Sequence, residues 1–310
     1  MHKNLKDGVN NKKMENLKYL AGPMRPPFLI LTPACVLLGL GTAVWTSGRV
    51  NAFYFVLVLI GAVCAHISVN AFNEYFDFKS GLDFRTQRTP FSGGSGTLQE
   101  KPHLAGWALR TAIVAMVIIV LVGVYFFTVW GLSFLPLGLL GLVVVLLYTP
   151  WFTHNPFLSL ISPGLGFGTL MVMGTHLALT GQYSWSAFIA SLVPFFLVSD
   201  LLLLNQFPDV EADRSVGRKN LLIVFGWRTG SYVYGAFLLL AYASIVAGVW
   251  LGYLSNVSLI GLGTLVIAVP AFRTALRYGD NVGRLVPAMG LNVLINILTP
   301  VLVAIGLFFR

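Results

Sequence analysis

Nine long apolar stretches constrain the fold of this 310-residue chain more than any other feature. A helix needs about 20 consecutive apolar residues to cross a bilayer. Runs of that kind occupy residues 27–46, 52–73, 107–127, 131–148, 157–180, 185–206, 230–252, 255–272 and 285–309. Open strands would leave backbone groups unpaired in lipid, so the spans are expected to be helices. The sequence therefore predicts an all-α integral membrane protein with nine transmembrane helices.

The composition agrees with a membrane protein. Hydrophobic residues make up 56% of the chain and charged residues only 10%, whereas a soluble domain is about one quarter charged. The formal net charge of +9 is assigned to cytoplasmic loops and to contact with anionic lipid or substrate, so no nucleic-acid partner is expected. Cys35 and Cys64 both lie in apolar runs without metal-ligand spacing and are predicted to be small buried residues.

The distribution of Lys and Arg predicts the orientation in the membrane. These residues concentrate in the tail before the first span and in the loops after spans two, six and eight, and Arg49 is the exception in the alternate loops. Basic loops stay on the cytoplasmic side, so the N-terminus is expected there and the C-terminus on the opposite face. Residues 1–22 are polar and basic and lack the apolar core of a secretory signal. They are predicted to form a cytoplasmic tail that precedes one transmembrane domain, residues 23–310.

Two matching groups of Asn and Asp lie at the ends of two predicted spans. In each group an Asn is followed four residues later by an Asp, and a further Asp lies close by. We call these groups the first acidic motif, formed by Asn73, Asp77 and Asp83, and the second acidic motif, formed by Asn205, Asp209 and Asp213. By the predicted topology both lie on the cytoplasmic side, and we expect them to face each other.

The spacing of the motifs points to a cation site. On a helix Asn73 lies above Asp77, and the same stripe extends back to His66. A polar stripe on a membrane helix is costly unless it faces a cavity or a protein partner. Pro208 is expected to bend the helix at the second motif. Mg²⁺ prefers oxygen ligands and binds through one or two carboxylates together with phosphate oxygens. The sequence therefore predicts Mg²⁺ on a diphosphate; the alternative is a solvated surface on which the acids pair with nearby Lys and Arg.

Basic side chains accompany both motifs and are candidates for binding the diphosphate. They are Lys79, Arg85, Arg88, Arg218 and Lys219. Each is equally consistent with the positive charge that cytoplasmic loops carry. A glycine-rich stretch, residues 92–96, is consistent either with backbone amides near a phosphate or with a flexible connector, and no role is assigned to it.

The paired motifs resemble those of the UbiA-type membrane prenyltransferases, and the resemblance covers nearly the whole chain. Arg25 and Pro26, at the start of the first span, look like the Arg-Pro start of that family. Residues 73–83 look most like the MenA branch, which prenylates 1,4-dihydroxy-2-naphthoate. The chain departs from the family at Glu74, where many members have Asp, and in the loop after Tyr148, which lacks a Lys or Arg.

The resemblance implies a nine-helix bundle around a central cavity, with a prenyl diphosphate and more than one Mg²⁺ ion at its cytoplasmic mouth. The implied metal ligands are Asn73, Asp77, Asp83, Asp209 and Asp213, and Asn205 is implied to take part in catalysis with them. Arg25 joins the candidates for diphosphate binding. Ionisation of the allylic diphosphate would let an aromatic quinone precursor attack the prenyl group. The expected location is the plasma membrane of a bacterium or archaeon.

Three further polar residues are candidates for contacting the acceptor or accepting its proton: Tyr148, Asp200 and His66. Asp200 is an acid inside a predicted span and is therefore a candidate functional residue, although pairing with a neighbour explains it as well. Other acceptors remain open, namely 4-hydroxybenzoate, homogentisate, a tetrapyrrole or a glycerol-phosphate lipid. A secondary transporter is the alternative from another class, since repeats and intramembrane polar residues are typical of transporters too.

Overall fold

The computed structural model describes residues 17–309, and this part of the chain contains helices and turns but no strand. Residues 1–16, most of the predicted cytoplasmic tail, lie outside the described residues. The long helices are α1 (Leu31–Ser47), α2 (Ala52–Ser80), α3 (Ala105–Trp130), α4 (Leu135–Leu147), α5 (Pro156–Thr180), α6 (Trp185–Asn205), α7 (Leu221–Trp250), α8 (Asn256–Tyr278) and α9 (Val282–Leu307). The predicted all-α class is confirmed.

The predicted count of nine spans is close to the structure but does not match it. Within residues 17–309, eight helical segments are long and apolar enough to cross a membrane. The difference lies in Pro102–Leu147, a segment of 46 residues that contains α3, a 3₁₀ turn and α4. A straight helix of that length would extend about 70 Å, roughly twice the hydrocarbon core of a bilayer. Gly131, with φ 64° and ψ −146°, ends α3 and lets the chain change course before α4.

Two helices differ in length from the sequence prediction. Helix α2 begins at the N-cap Asn51, whose side chain accepts hydrogen bonds from the amides of Phe53 and Tyr54, and it continues to Ser80 rather than ending near residue 73. Gly81, at φ 77°, ends it. Helix α7 begins at Leu221 rather than near residue 230 and is kinked at Gly226. Both extensions lie at the end of the bundle that carries the acidic motifs, so these motifs sit on or beside ordered helices.

Helix α6 forms the centre of the bundle. It packs against α1, α5, α7 and α9, and its apolar window is 67% buried, a larger share than in any other candidate span. The approach to α5 is very close, because a Cβ on Gly164 would lie 2.0 Å from the carbonyl oxygen of Phe195. A Cβ on Gly168 would lie 2.4 Å from the Phe195 nitrogen. Small residues at such crossings allow two membrane helices to approach backbone to backbone, and this contact fixes α6 beside the π-helical turn Leu165–Leu170 of α5.

We predict that Gly168→Ala lowers the free energy of unfolding by about 1–3 kcal/mol, because the new methyl group would overlap backbone atoms that cannot move aside. Gly174→Ala is the matched control on the same helix, since a Cβ there meets no atom within 4 Å. The thermal midpoint of each purified variant in detergent is the measurement. Equal midpoints for the two variants would contradict the close packing of α5 against α6.

Candidate functional site

A cavity of about 1040 Å³ lies inside the bundle and is lined by residues of α1 to α6 and of α9. One end carries the polar side chains of both acidic motifs. The remaining wall is mostly apolar and includes Val58, Phe126, Leu139 and Phe167. The predicted central cavity is therefore present, and the acidic motifs gather at one mouth.

The first acidic motif reaches this mouth from the end of α2. Asn73 and Asp77 line the cavity from the last turns of the helix, and His66 continues the same stripe deeper inside. Because Gly81 ends α2 in a left-handed conformation, the chain turns back into the 3₁₀ turn Leu82–Phe84. That turn brings the buried Asp83 to the cavity wall beside the helix end.

The second acidic motif lies across the mouth on a broken helix. Helix α6 ends at Asn205, a turn follows, and a short helix, Val210–Ser215, begins after Asp209. The helix therefore breaks around Pro208, where the sequence predicts a bend. Asn205, Asp209 and Asp213 all line the cavity, so the break keeps the motif on one wall although the helix does not continue.

Arg218 joins the two motifs. Its guanidinium donates to the Oδ1 atom of Asp77 on α2, and it donates to Oδ1 of Asp213 at 3.1 Å. The other carboxylate oxygen of Asp213, Oδ2, accepts a hydrogen bond from the side-chain nitrogen Nδ2 of Asn220 at 2.9 Å. One cation thus lies between the carboxylates of both motifs, and the motifs face each other across it.

Arg25 holds the first motif from the other side. Its Nε donates to Glu74 Oε1 at 2.7 Å, and its Nη2 donates to Asn73 Oδ1 at 2.8 Å. The amide nitrogen of Asn73 donates to Thr149 Oγ1 at 3.2 Å. Among residues 17–309, Arg25 is the one residue other than glycine with a positive φ, 51°. Local backbone strain of this kind is common at functional sites.

The other basic candidates divide into two groups. Arg88 lines the cavity and donates to the backbone oxygen of Ser95 at 2.6 Å. Lys79, Arg85 and Lys219 are exposed and do not line the cavity. Lys79 lies over the ring of Tyr75, and Arg85 donates to Ser215 at 3.1 Å. Of the five basic residues beside the motifs, the structure therefore places Arg88 and Arg218 at the mouth.

The three acceptor candidates occupy different surroundings. His66 lines the cavity, with Nδ1 2.9 Å from Thr32 Oγ1 and the ring edge-on to Phe167. Tyr148 lines the cavity near the mouth. Asp200 is fully buried in α6 away from the cavity wall, and neither carboxyl oxygen has a hydrogen-bond partner among the described residues.

Burial shifts the ionisation of the groups at the mouth. It raises the pKa of Asp83 to about 7, with a further contribution from the carboxylates of Asp77 and Glu74. It also raises the pKa of Asp209 to about 8, and Asp213 adds to that shift. Burial by itself would lower the pKa of Arg218, but the carboxylates of Asp77 and Asp213 raise it. The mouth therefore holds carboxyl groups whose charged forms need a cation nearby.

The donor atoms of the second motif suit a hard cation. The Oδ1 atoms of Asn205 and Asp209 are buried and have no hydrogen-bond partner among the described residues. Within residues 17–309, no three His, Cys, Asp or Glu side chains converge closely enough to hold a metal ion by themselves. Mg²⁺ needs no such cluster, because it binds through one or two carboxylates and completes its shell with phosphate oxygens and water. The residues present therefore fit Mg²⁺ bound jointly with a diphosphate.

Some residues of the mouth are missed by the sequence prediction. Glu74 is buried and accepts hydrogen bonds from Arg25 and from Ser95. Asn220 fixes Asp213 and also serves as the N-cap of α7. Glu74 lies inside the first motif, so sequence reasoning could have identified it as a site residue. The role of Asn220 depends on a contact that the sequence does not reveal.

The chain matches the model of a known protein family. The model of the UbiA prenyltransferase family matches residues 32–285, more than half of the chain. A curated relative, 1,4-dihydroxy-2-naphthoate octaprenyltransferase of Bacillus subtilis (strain 168), is 31% identical over 231 residues, which cover 73% of this chain and 70% of that protein. The 2-carboxy-1,4-naphthoquinone phytyltransferase of Synechocystis sp. is 22% identical over 264 residues, 83% of this chain and 82% of that protein.

Solved structures share the fold. The apo structure of a UbiA homolog from Aeropyrum pernix K1 superposes with a TM-score of 0.68 at 17% identity, covering 91% of this chain and 96% of that one. A UbiA homolog from Archaeoglobus fulgidus bound to GPP and Mg²⁺ superposes with a TM-score of 0.59 at 15% identity, covering 94% of this chain and 100% of that one. At these identities the likeness establishes the fold.

We predict that Arg218→Gln destabilises the protein by about 3–5 kcal/mol, because it leaves two buried carboxylates without their shared cation. Arg214→Gln is the matched control, since Arg214 pairs with Glu211 on the surface, where the side chains are 53% and 82% exposed. That exposed pair contributes less than about 1 kcal/mol. Thermal midpoints in EDTA-containing buffer measure both effects, and similar losses in the two variants would contradict the bridging role of Arg218.

Proposed function

The chain belongs to the UbiA prenyltransferase family and is an intramembrane prenyltransferase; we propose that it uses Mg²⁺ to transfer a prenyl group from an isoprenoid diphosphate to an aromatic quinone precursor. One observation carries the proposal. The buried, unpartnered oxygens of Asn205 and Asp209 lie at the polar mouth of a cavity that is otherwise apolar. Such a mouth suits a diphosphate with its metal, and the cavity suits the hydrocarbon chain attached to it.

The residues of the mouth divide the work of binding the diphosphate. Both acidic motifs supply the oxygen ligands of the metal: Asn73, Asp77, Asp83, Asp209 and Asp213, with Asn205 beside them. Arg25, Arg88 and Arg218 line the cavity there and contribute charge-assisted hydrogen bonds to phosphate oxygens. When bound, Mg²⁺ stabilises the negative charge that develops on the departing diphosphate. Lys79, Arg85 and Lys219 lie outside the cavity, so they act at most through the overall positive potential of this face.

The apolar wall fits the prenyl chain and the reaction that follows ionisation. Phe126, Phe134 and Phe167 line the cavity among aliphatic side chains. Aromatic ring faces attract a positive charge, and an apolar enclosure keeps water away from an allylic cation that water would convert to an alcohol. We propose that this wall holds the chain while the electron-rich acceptor attacks its first carbon.

For the acceptor we propose 1,4-dihydroxy-2-naphthoate, on the basis of the relatives that carry this name. His66 and Tyr148 both line the cavity and are the proposed acceptor contacts. Burial raises the pKa of Tyr148 to about 12, so its phenol stays protonated and serves as a hydrogen-bond donor. Asp200 does not line the cavity and remains a candidate base without a direct route to the acceptor. The chain belongs to a family of prenyltransferases, so we do not propose the transporter alternative.

We predict that membranes containing the protein transfer a radiolabelled prenyl group to 1,4-dihydroxy-2-naphthoate and that EDTA abolishes the transfer. Asp77→Asn and Asp209→Asn should each lower the rate roughly a hundredfold, because each removes an anionic oxygen ligand that acts in the transition state. Asp280→Asn, an exposed residue between α8 and α9, is the control and should keep the normal rate.

The same assay separates the alternatives. Transfer that continues unchanged in EDTA would contradict the metal-dependent mechanism. Transfer to 4-hydroxybenzoate, homogentisate, a tetrapyrrole or a glycerol-phosphate lipid, with none to the naphthoate, would keep the enzyme class and refute the proposed acceptor. Mass spectrometry of the product, with geranyl, farnesyl and longer diphosphates as donors, would identify the chain length used.

We also propose that the mouth of the cavity faces the cytoplasm of a bacterial or archaeal cell. Lys79, Arg85, Arg214 and Lys219 are exposed and lie in the last turn of α2 or in the chain segments that follow α2 and α6, and positive residues of short loops remain cytoplasmic. We predict that, in a chain lacking Cys35 and Cys64, a cysteine at position 49 reacts with a membrane-impermeant thiol reagent in intact cells. A cysteine at position 280 should react only after the cells are opened. The reverse pattern would invert the proposed orientation.

A further inference from the structure

Glu74 lies between Asn73 and Asp77 in the first acidic motif, and its carboxylate contacts Arg25 and Ser95. We propose that Glu74 is a positioning residue, which fixes Arg25 and the glycine-rich loop, residues 92–96, over the mouth of the cavity. This inference rests on the proposed function, in which Arg25 contacts the diphosphate. It assigns to Glu74 a role distinct from that of the neighbouring Asn73 and Asp77.

The contacts of Glu74 account for most of its hydrogen-bonding capacity. Its Oε1 accepts from Arg25 Nε at 2.7 Å and from the Ser95 amide at 2.7 Å. Its Oε2 accepts from Ser95 Oγ at 2.8 Å. The side chain is 1% exposed, and a carboxylate offers about four lone-pair positions. Glu74 thus accepts three short hydrogen bonds from protein donors, and one of these donors, Arg25, is charged. Its hydrogen-bonding capacity is largely used within the protein, so Glu74 is a poor candidate for a metal ligand.

The contact with Glu74 fixes an unusual backbone. Arg25 lies between two 3₁₀ turns, Gly22–Met24 and Pro26–Phe28, with φ 51° and ψ 60°. This left-handed conformation is unfavourable for a residue with a side chain, so surrounding contacts must hold it in place. The backbone hydrogen bonds of Arg25 with Gly22 and Phe28 supply part of this support, and the ion pair with Glu74 and the hydrogen bond to Asn73 hold the side chain. Two donor groups of the guanidinium are thereby used, and the remaining Nη1 is left for an anion in the cavity that Arg25 lines.

The same carboxylate anchors the glycine-rich loop. Gly93, Gly94 and Gly96 all have positive φ, between 72° and 82°. A Cβ on Gly94 would lie 3.1 Å from Glu74 Oε1 and 3.4 Å from Asp83 Oδ1. The loop backbone therefore passes directly over the carboxylates of the first motif. Residues of this loop line the cavity, so the order of the loop determines the shape of the mouth.

Side-chain length explains why Glu is needed at this position. The carboxylate spans Arg25 on one side and Ser95 on the other, with contacts of 2.7–2.8 Å on both. Aspartate would withdraw the carboxylate by one methylene, about 1.5 Å. The shorter side chain would then lose at least one of the two partners unless the loop followed it. The length of a Glu side chain at position 74 thus matches the loop that this chain carries.

The kinetic test compares Glu74→Ala, Glu74→Gln and Glu74→Asp with Glu100→Ala, an exposed residue near the same loop. Glu74→Ala should raise the KM for the prenyl diphosphate roughly tenfold, the size of one lost charge-assisted hydrogen bond. It should leave the KM for the acceptor and the half-saturating Mg²⁺ concentration unchanged. Glu74→Gln keeps an acceptor oxygen for Arg25 and Ser95 and should restore most of the affinity, whereas Glu74→Asp should resemble Glu74→Ala. The control should match the unmodified protein.

A double-mutant cycle connects the effect to Arg25. If Glu74 acts by positioning Arg25, Glu74→Ala combined with Arg25→Ala should raise the KM for the diphosphate no further than Arg25→Ala does alone. Additive effects would overturn the inference. A large change in Mg²⁺ dependence in Glu74→Gln would overturn it as well, since that result identifies Glu74 as a metal ligand.

Hydrogen exchange provides a readout that does not depend on activity. The Ser95 amide should exchange slowly in the unmodified protein and in Glu74→Gln, and much faster in Glu74→Ala, while the amides in the middle of α6 remain equally protected in all three. Unchanged exchange at Ser95 refutes the positioning role even if the protein transfers prenyl groups. If Ser95 exchanges faster in Glu74→Ala but the unmodified protein has no transferase activity, the contact between Glu74 and the loop is supported and the proposed function is refuted.

Discussion

The ion pairs of Arg218 are the contact on which the arrangement of the site depends. A buried charged carboxylate is stabilised by a cationic partner, and Arg218 serves both Asp77 on α2 and Asp213 beyond α6. This cation links two parts of the chain that are far apart in sequence. It also holds a carboxylate of each motif at one guanidinium group. The same interaction thus links the two motifs, and in the proposed function it arranges the residues that bind the diphosphate.

The uneven distribution of polarity follows from the membrane environment. Polar groups inside a bilayer are costly unless they face a cavity or one another, and here both solutions occur. The stripe of α2 faces the cavity, whereas Thr42, His176 and similar residues are paired within the bundle. The oxygens of Asn205 and Asp209 that remain unpartnered lie at the mouth. Two of the polar oxygens that the fold leaves unpartnered therefore lie at the mouth, whereas those of Asp200 lie inside α6 away from the cavity.

Particular residues show why the sequence prediction succeeds in some places and not in others. Periodicity places Asn73, Asp77 and His66 on one face of α2, because a helix fixes side-chain directions locally. Charge alone cannot distinguish Arg218 from Lys219, its neighbour in sequence, yet one bridges the motifs and the other is exposed. Whether residues 102–147 form one long helix or two shorter ones depends on the backbone conformation of Gly131. Composition does not decide it, because two adjacent apolar helices and one long apolar helix have nearly the same composition.

The sequence by itself determines the class of the protein and predicts the chemistry of its mouth. Long apolar runs require membrane helices, and two Asn/Asp motifs of matching spacing point to a hard cation and a diphosphate. Only the tertiary structure decides which cations and amides meet those carboxylates. Arg25 and Glu74 are 49 positions apart, and Asp77 and Arg218 are 141 apart. Such contacts arise from helix packing and from the turns at Gly81 and Pro208, which bring distant helix ends to one mouth. The local sequence does not reveal which of these distant residues meet in space.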